Sequence, residues 1–321
     1  EAGEAGRAKF NQYSRLLTVP LAVLQGYGLL TILSRQGVLG DIGFAGMATN
    51  IIIITGAALF LMWLGELISE YGIGNGVSIM IFAGIVAAVP SSIQQTLVNF
   101  DSSQIPVYVT FIILGIAVIA AVVVVTEGER PVPISYTKRV RGMRMYGGFS
   151  TYLPLRVNQA GVIPIIFALS ILLFPQMFAG FLAASSNAFL QKIADVFLDF
   201  SQNLLLYGSA YFILVFFFTY FYTAVTFDPD NISDNLQKSG GFIPGIRPGR
   251  PTAEFLSHII NRITLAGALF LGLIAVLPFI VQAATGIVTL TIGGTALLIV
   301  VSVVLEFMKQ LQGKLVMREY E

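Results

Sequence analysis

Residues 105–126, IPVYVTFIILGIAVIAAVVVVT, run for 22 positions without a charged side chain. A helix needs about 20 mostly apolar residues to cross about 30 Å of hydrocarbon, and this run meets that length. Inside lipid a segment must satisfy its own backbone polar groups, which leaves helices and closed barrels as the spanning structures. Seven further stretches are long and mostly apolar, with a charged side chain only at Glu66 and Glu306 near their ends: Leu16–Leu33, Thr49–Leu67, Val77–Val98, Ala160–Phe178, Leu204–Thr226, Ile263–Val281 and Val288–Phe307. The sequence therefore predicts an all-α polytopic membrane protein with eight transmembrane helices.

Composition agrees. Of the 321 residues 56% are hydrophobic and 11% charged, where a soluble domain carries about 25% charged residues. Net charge is only +1, so no whole-protein basic field exists; the asymmetry lies between the two faces of the membrane. Of the 18 Lys and Arg, all but Arg35 and Lys192 fall at the ends and loops of one side. Positive charge in short loops marks the cytoplasm, which predicts both chain ends inside. The chain has no cysteine, which excludes disulfides and thiolate chemistry. It opens Glu1-Ala2-Gly3-Glu4-Ala5-Gly6 with no methionine, as expected of a segment from a longer chain.

Two long loops stand out on the basic side, 127–159 and 227–261. Long connections in compact proteins are functional or disordered, and Pro131, Val132, Pro133, Ile134, Tyr136, Met145 and Phe149 interleave too much apolar side chain for disorder. Residues 136–146 alternate as a short hairpin would. The second loop holds GGFIPGIRPGRP at 240–251, where proline fixes φ and glycine allows tight turns, so Arg247 and Arg250 are expected on a stiff tip. On the opposite side, 187–200 has the pattern of an amphipathic interfacial helix.

An ionisable residue inside a span is by default a functional site, and none lies deep; Glu66, Glu70 and Glu306 sit at span ends. That argues against ion-driven transport. Gln25, Asn158 and Ser170 are neutral polar residues suited to hydrogen bonds between helices. Pro164 is expected to mark a helix that bends or moves. Other motifs fail on spacing. Gly72-Ile73-Gly74-Asn75-Gly76 does not fit a dinucleotide fingerprint, and the acids Asp228, Asp230 and Asp234 lack the glycine and oxygen ligands of a calcium loop. His258 is the single histidine. No catalytic constellation, metal site or cofactor site is expected.

Four segments carry a resemblance. LPLRVNQAGVIPIIFA at 153–168 closely resembles the entry to the seventh helix of the SecY family, the central subunits of the bacterial protein-conducting channel. GIGNGVSIMIFAG at 72–84, residues 234–249, and GGTALLIV at 293–300 agree with the same family in the same order. The resemblance runs the length of the chain. It implies a ten-helix, pseudo-symmetric inverted-repeat channel, of which this chain holds spans three to ten, without the first two spans and the plug. Residues 1–100 would be the remainder of the N-terminal half and 101–321 the C-terminal half. Ile73-Gly74 ahead of Ile81 echoes Ile292-Gly293 ahead of Ile299, a trace of that repeat.

By the same resemblance the hydrophobic pore ring maps onto Val77, Ile81, Ile166 and Ile299. The lateral gate maps onto Gln25, Asn158 and Ser170. The loop cations Lys138, Arg139, Arg141, Arg144, Arg247 and Arg250 would dock the SecA motor or ribosomal RNA. The implied partners are the small membrane subunits SecE and SecG, SecA, the ribosome, signal sequences, nascent polypeptides and the lipid bilayer, and the implied location is the plasma (inner) membrane. The implied function is conduction of unfolded secretory polypeptides and lateral release of transmembrane segments, with no enzyme activity. Two rival classes are a secondary transporter for small solutes, which needs a polar midplane site that the chain lacks, and an insertase or structural scaffold, which predicts no conductance.

Overall fold

Each apolar run lies largely within a helix over its described residues. The computed structural model describes residues 3–35, 37–40, 43–98, 105–136, 139–141, 144–146, 150–183, 187–285 and 291–319. The elements are α1 (Gly3–Arg35), α2 (Phe44–Tyr71), α3 (Gly76–Val98), α4 (Ile105–Glu127), β1 (Glu129–Tyr136), β2 (Arg139–Arg141), β3 (Arg144–Tyr146), β4 (Ser150–Arg156), α5 (Ile163–Ala183), α6 (Ala188–Gln202), α7 (Leu204–Thr226), α8 (Pro229–Lys238), β5 (Gly241–Phe242), α9 (Arg250–Thr285) and α10 (Thr291–Glu319). Among the described residues seven helical segments are long and apolar enough to cross a membrane. The expected first span, Leu16–Leu33, lies within α1 but outside that set, so seven candidate spans stand where the sequence predicts eight.

The spans expose what a soluble protein hides. On α7, Ile213, Phe217 and Phe221 are each more than half exposed and recur every four residues, one stripe down the helix. In water such a stripe is an aggregation surface; in a bilayer it faces acyl chains. Pro164 falls in the first turn of α5, where a missing N–H goes unused. The bend expected of it is therefore not made there, and the proline inside α5 is Pro175.

The chain divides into two compact units, one of residues 1–87, 170–207 and 306–321, the other of 88–169 and 208–305. In the first, α1 meets α2 through Arg15, whose Nε donates to Glu66 Oε1 at 2.8 Å. Both groups are partly solvated, so the pair contributes at most about 1 kcal/mol, but it neutralises a carboxylate at a span end. Asn187 caps α6 by accepting from the Phe189 N–H at 3.0 Å. Asn203 starts α7 directly afterwards, accepting from Leu205 and Leu206.

In the second unit β1 is the middle strand of an antiparallel sheet ordered β4-β1-β5. Its register sets Pro131 opposite Pro154. Neither has an N–H to exchange, so this must be a non-hydrogen-bonded pair, and β1 tolerates its prolines because β5 reaches only Ser135 and Tyr136. Alternation then turns Val132, Ile134 and Leu155 inward, each 3% exposed or less. Strands β2 and β3 pair antiparallel, Arg139 opposite Tyr146 and Arg141 opposite Arg144, inside the 136–146 stretch whose alternation predicts a hairpin.

Candidate functional site

The helix α9 has 36 residues, a length of about 54 Å at 1.5 Å per residue. That exceeds the hydrocarbon by about 24 Å, enough for four turns outside it. Those turns carry the buried face Ala253, Leu256, Ile259 and Ile260. Val132 and Leu155 of the sheet and Ile243 beyond β5 pack onto it in one hydrophobic cluster, flanked by Leu153, Phe227, Ile232 and Ile246. Loops 127–159 and 227–261, which read in the sequence as two projections, thus share one core.

A basic tip rides on this core. The α8 helix starts at Asp228, whose carboxylate accepts from the Asp230 and Asn231 N–H groups at 3.1 Å and also from the Asn231 side chain. This explains the acid-rich segment as a helix cap. On α8, Ser233 is 2% exposed and its Oγ donates to the Gly249 carbonyl at 2.7 Å. Thr252, equally buried, donates from Oγ1 to the Arg247 carbonyl at 2.9 Å. The turn between β5 and α9 is held from both sides, while the Arg247 and Arg250 side chains stand exposed. Arg250 Nε reaches Glu254 at 3.1 Å in an open ion pair. In the β2–β3 pair the backbone register sets Arg139 opposite Tyr146 and Arg141 opposite Arg144, and Lys138 lies outside the described residues.

The remaining expected site residues divide between the units. Val77 and Ile81 sit one turn apart on α3 in the first, Val77 about half exposed. Its Cγ2 would lie 3.2 Å from a Cβ on Gly65, so its side chain rests on the α2 backbone. Gln25 is exposed on α1, and Ser170 is half-buried on α5. In the second unit Ile166 is half-buried on α5, and Ile299 on α10 is 5% exposed. Asn158 is 6% exposed. Its Nδ2 donates to the Gly161 carbonyl at 3.3 Å, and its Oδ1 has no partner among the described residues. Beside it, α9 approaches so closely that a Cβ on Gly267 would fall 2.6 Å from the Val157 carbonyl oxygen.

The residues that sequence reasoning missed are those that hold the others: Ser233, Thr252 and Ser69, small hydroxyls with no motif of their own. The segment rejected as a nucleotide loop is also accounted for. Gly74 has φ of +91°, open to glycine, and a Cβ on Gly76 would overlap the Gly65 carbonyl oxygen. Ser69 Oγ donates to that carbonyl at 2.9 Å and accepts from the Gly76 N–H at 2.8 Å, while Asn75 Oδ1 accepts from Ser78 N–H at 3.1 Å. The motif is a tight α2–α3 turn.

Among the described residues no group of three or more His, Cys, Asp or Glu gathers to hold a metal ion. The class these features define is a multi-pass helical membrane protein with a folded, basic projection beyond the bilayer. Its relatives are specific. The SecY family profile matches residues 1–308. The protein translocase subunit SecY of Mycobacterium bovis is 43% identical over 334 residues, covering 99% of this chain and 75% of that one. SecY of Streptomyces galbus is 43% identical over 340 residues with the same coverage. A solved structure reported as that of a protein conducting channel shares the fold at a TM-score of 0.65 and 20% identity, over 95% of this chain and 73% of that chain. The chain belongs to the SecY family: it is a protein-conducting channel subunit of the Sec translocon, a channel and not an enzyme. As a translocase subunit it works with partners of the Sec complex.

Proposed function

We propose that this subunit conducts unfolded secretory polypeptides through a pore closed by Val77, Ile81, Ile166 and Ile299, and releases transmembrane segments into lipid past Gln25, Asn158 and Ser170. Branched aliphatic side chains at a constriction exclude water and ions by dewetting, yet yield around any passing chain. Neutral polar groups suit a seam that must open reversibly, since one interhelical hydrogen bond contributes about 0.6 kcal/mol. The half-satisfied amide of Asn158 supports that role, having one oxygen open to a new partner. The division into halves at 1–100 and 101–321 belongs to the same reading, as do cytoplasmic chain ends and a place in the bacterial plasma membrane.

The basic projection is the docking face for SecA and for ribosomal RNA phosphates, through Lys138, Arg139, Arg141, Arg144, Arg247 and Arg250. One observation carries this: Arg247 and Arg250 stand exposed on a turn already fixed by Ser233 and Thr252. A preorganised tip meets its partner without the entropy loss of ordering a loop. SecE and SecG would cover part of the exposed apolar span surface. Arg247→Glu reverses the charge outside the projection's core. SecA-driven export of a secretory precursor into vesicles should fall several-fold, with membrane insertion of the subunit unchanged. Export at the unsubstituted rate would sink the docking role.

A further inference from the structure

The α2–α3 turn has a second attachment, far away in sequence. The α2 helix has no basic residue in its last turn, and Glu70 stands there instead, at the negative end of the helix dipole. Its cap, Gly72, turns its N–H back to the Ile68 carbonyl at 2.9 Å. The Gly72 carbonyl then accepts from Lys314 Nζ of α10 at 3.0 Å, across 242 residues. Phe307 and Gln310 approach the same turn: a Cβ on Gly74 would lie 3.4 Å from Gln310 Oε1 and 4.0 Å from the Phe307 ring. Positions 307, 310 and 314 share one helix face. That face of α10 lies along the turn, and its cation supplies the C-terminal charge that α2 lacks.

We infer that Lys314 is a positioning residue of the channel: the end of α10 clamps the Gly72–Gly76 turn and thereby sets where α3, with Val77 and Ile81, begins. Two features make the turn able to transmit position. Ser69 ties Gly65 to Gly76 and Asn75 ties itself to Ser78, so the turn is fixed at Asn75 and Gly76, immediately before Val77. The backbones at Gly65 and Gly76 are also in contact, with no room for a Cβ. Displacing the turn must displace the start of α3. The clamp itself stands on the contacts of one compact unit; its bearing on the pore rests on the ring reading above.

The test uses the assembled translocon in lipid vesicles and nanodiscs, with Lys314→Met, Lys314→Arg and, separately, Ile81→Ser. A cation near a helix C-terminus accounts for about a threefold change in a local opening equilibrium. Lys314→Met should therefore speed hydrogen exchange at 72–80 about threefold and raise ion leak through the resting channel, and Lys314→Arg should restore both. A merely structural contact would alter exchange without leak, and would not distinguish arginine from methionine in the leak. Unchanged exchange at 72–80 in Lys314→Met overturns the clamp. If Ile81→Ser leaks while Lys314→Met does not, the positioning role is overturned and the ring stands. If Ile81→Ser does not leak, the ring reading fails, and exchange alone decides the clamp.

Discussion

Replacing Leu256 by alanine asks whether the two long loops fold as one body. Leu256 is fully buried among Val132, Leu155, Ile243, Ile259 and Ile260. Truncation removes three carbons, about 2.4 kcal/mol at ~0.8 kcal/mol each, and the cavity left behind brings the loss to about 3–4 kcal/mol. The lower part of α9 is anchored among the spans, where Tyr211 of α7 packs edge-on against Phe279 at 6.1 Å. The loss therefore falls on the docking of the sheet and the 241–246 segment against the outer turns of α9. As a local opening it corresponds to roughly 100- to 1,000-fold, at 1.4 kcal/mol per factor of ten. Hydrogen exchange read by mass spectrometry on the protein in nanodiscs should show this acceleration in β1 and β4 and also in 241–246, with the span amides unchanged. Ile116→Ala, on an exposed face of α4, should leave all of these alone. Acceleration confined to one loop, or none, would refute a shared core.

Ser233→Ala leaves the Gly249 carbonyl without its 2.7 Å partner, a loss of about 1 kcal/mol; faster exchange at 249–252 and weaker SecA binding should follow together. Gly267→Ala drives a Cβ into the Val157 backbone, overpacking by about 1–3 kcal/mol, and should lower the thermal midpoint of the solubilised protein while shifting the amide resonances of Asn158. On α6, Phe189 is 68% exposed while Gln191, Lys192, Asp195 and Asp199 occupy another side of the helix, the layout of an interfacial segment. Phe189→Trp in a Trp63→Phe background, which removes the one native tryptophan, should be quenched by brominated lipid; unquenched, water-like emission would place that edge in solvent.

Much of the architecture is legible in the chain. The boundaries read from charge-free runs fall within a few residues of α3, α4 and α7, because bilayer thickness is a fixed ruler and an uncharged apolar run has one stable way to satisfy its backbone there. The β2–β3 pairing within 136–146 and the stiff Pro-Gly tip are equally local, set by alternation and by residues that restrict φ. The role of Pro164 is not legible in the same way: a run of apolar residues does not reveal where the first turn begins, and three residues decide whether a proline bends a helix or opens one.

The candidate site was legible in its residues but not in what holds them. Arg247 and Arg250 announce themselves by charge, whereas Ser233 and Thr252 do so only once α8 and the tip are seen together. By itself the sequence determined which segments enter the membrane and which carry charge, since these depend on transfer of each segment between water and lipid. Only the tertiary structure decided that the two distant loops share one core around Leu256, and that Lys314 reaches Gly72. Close packing and hydrogen bonding between segments far apart along the chain depend on distances that no local pattern encodes.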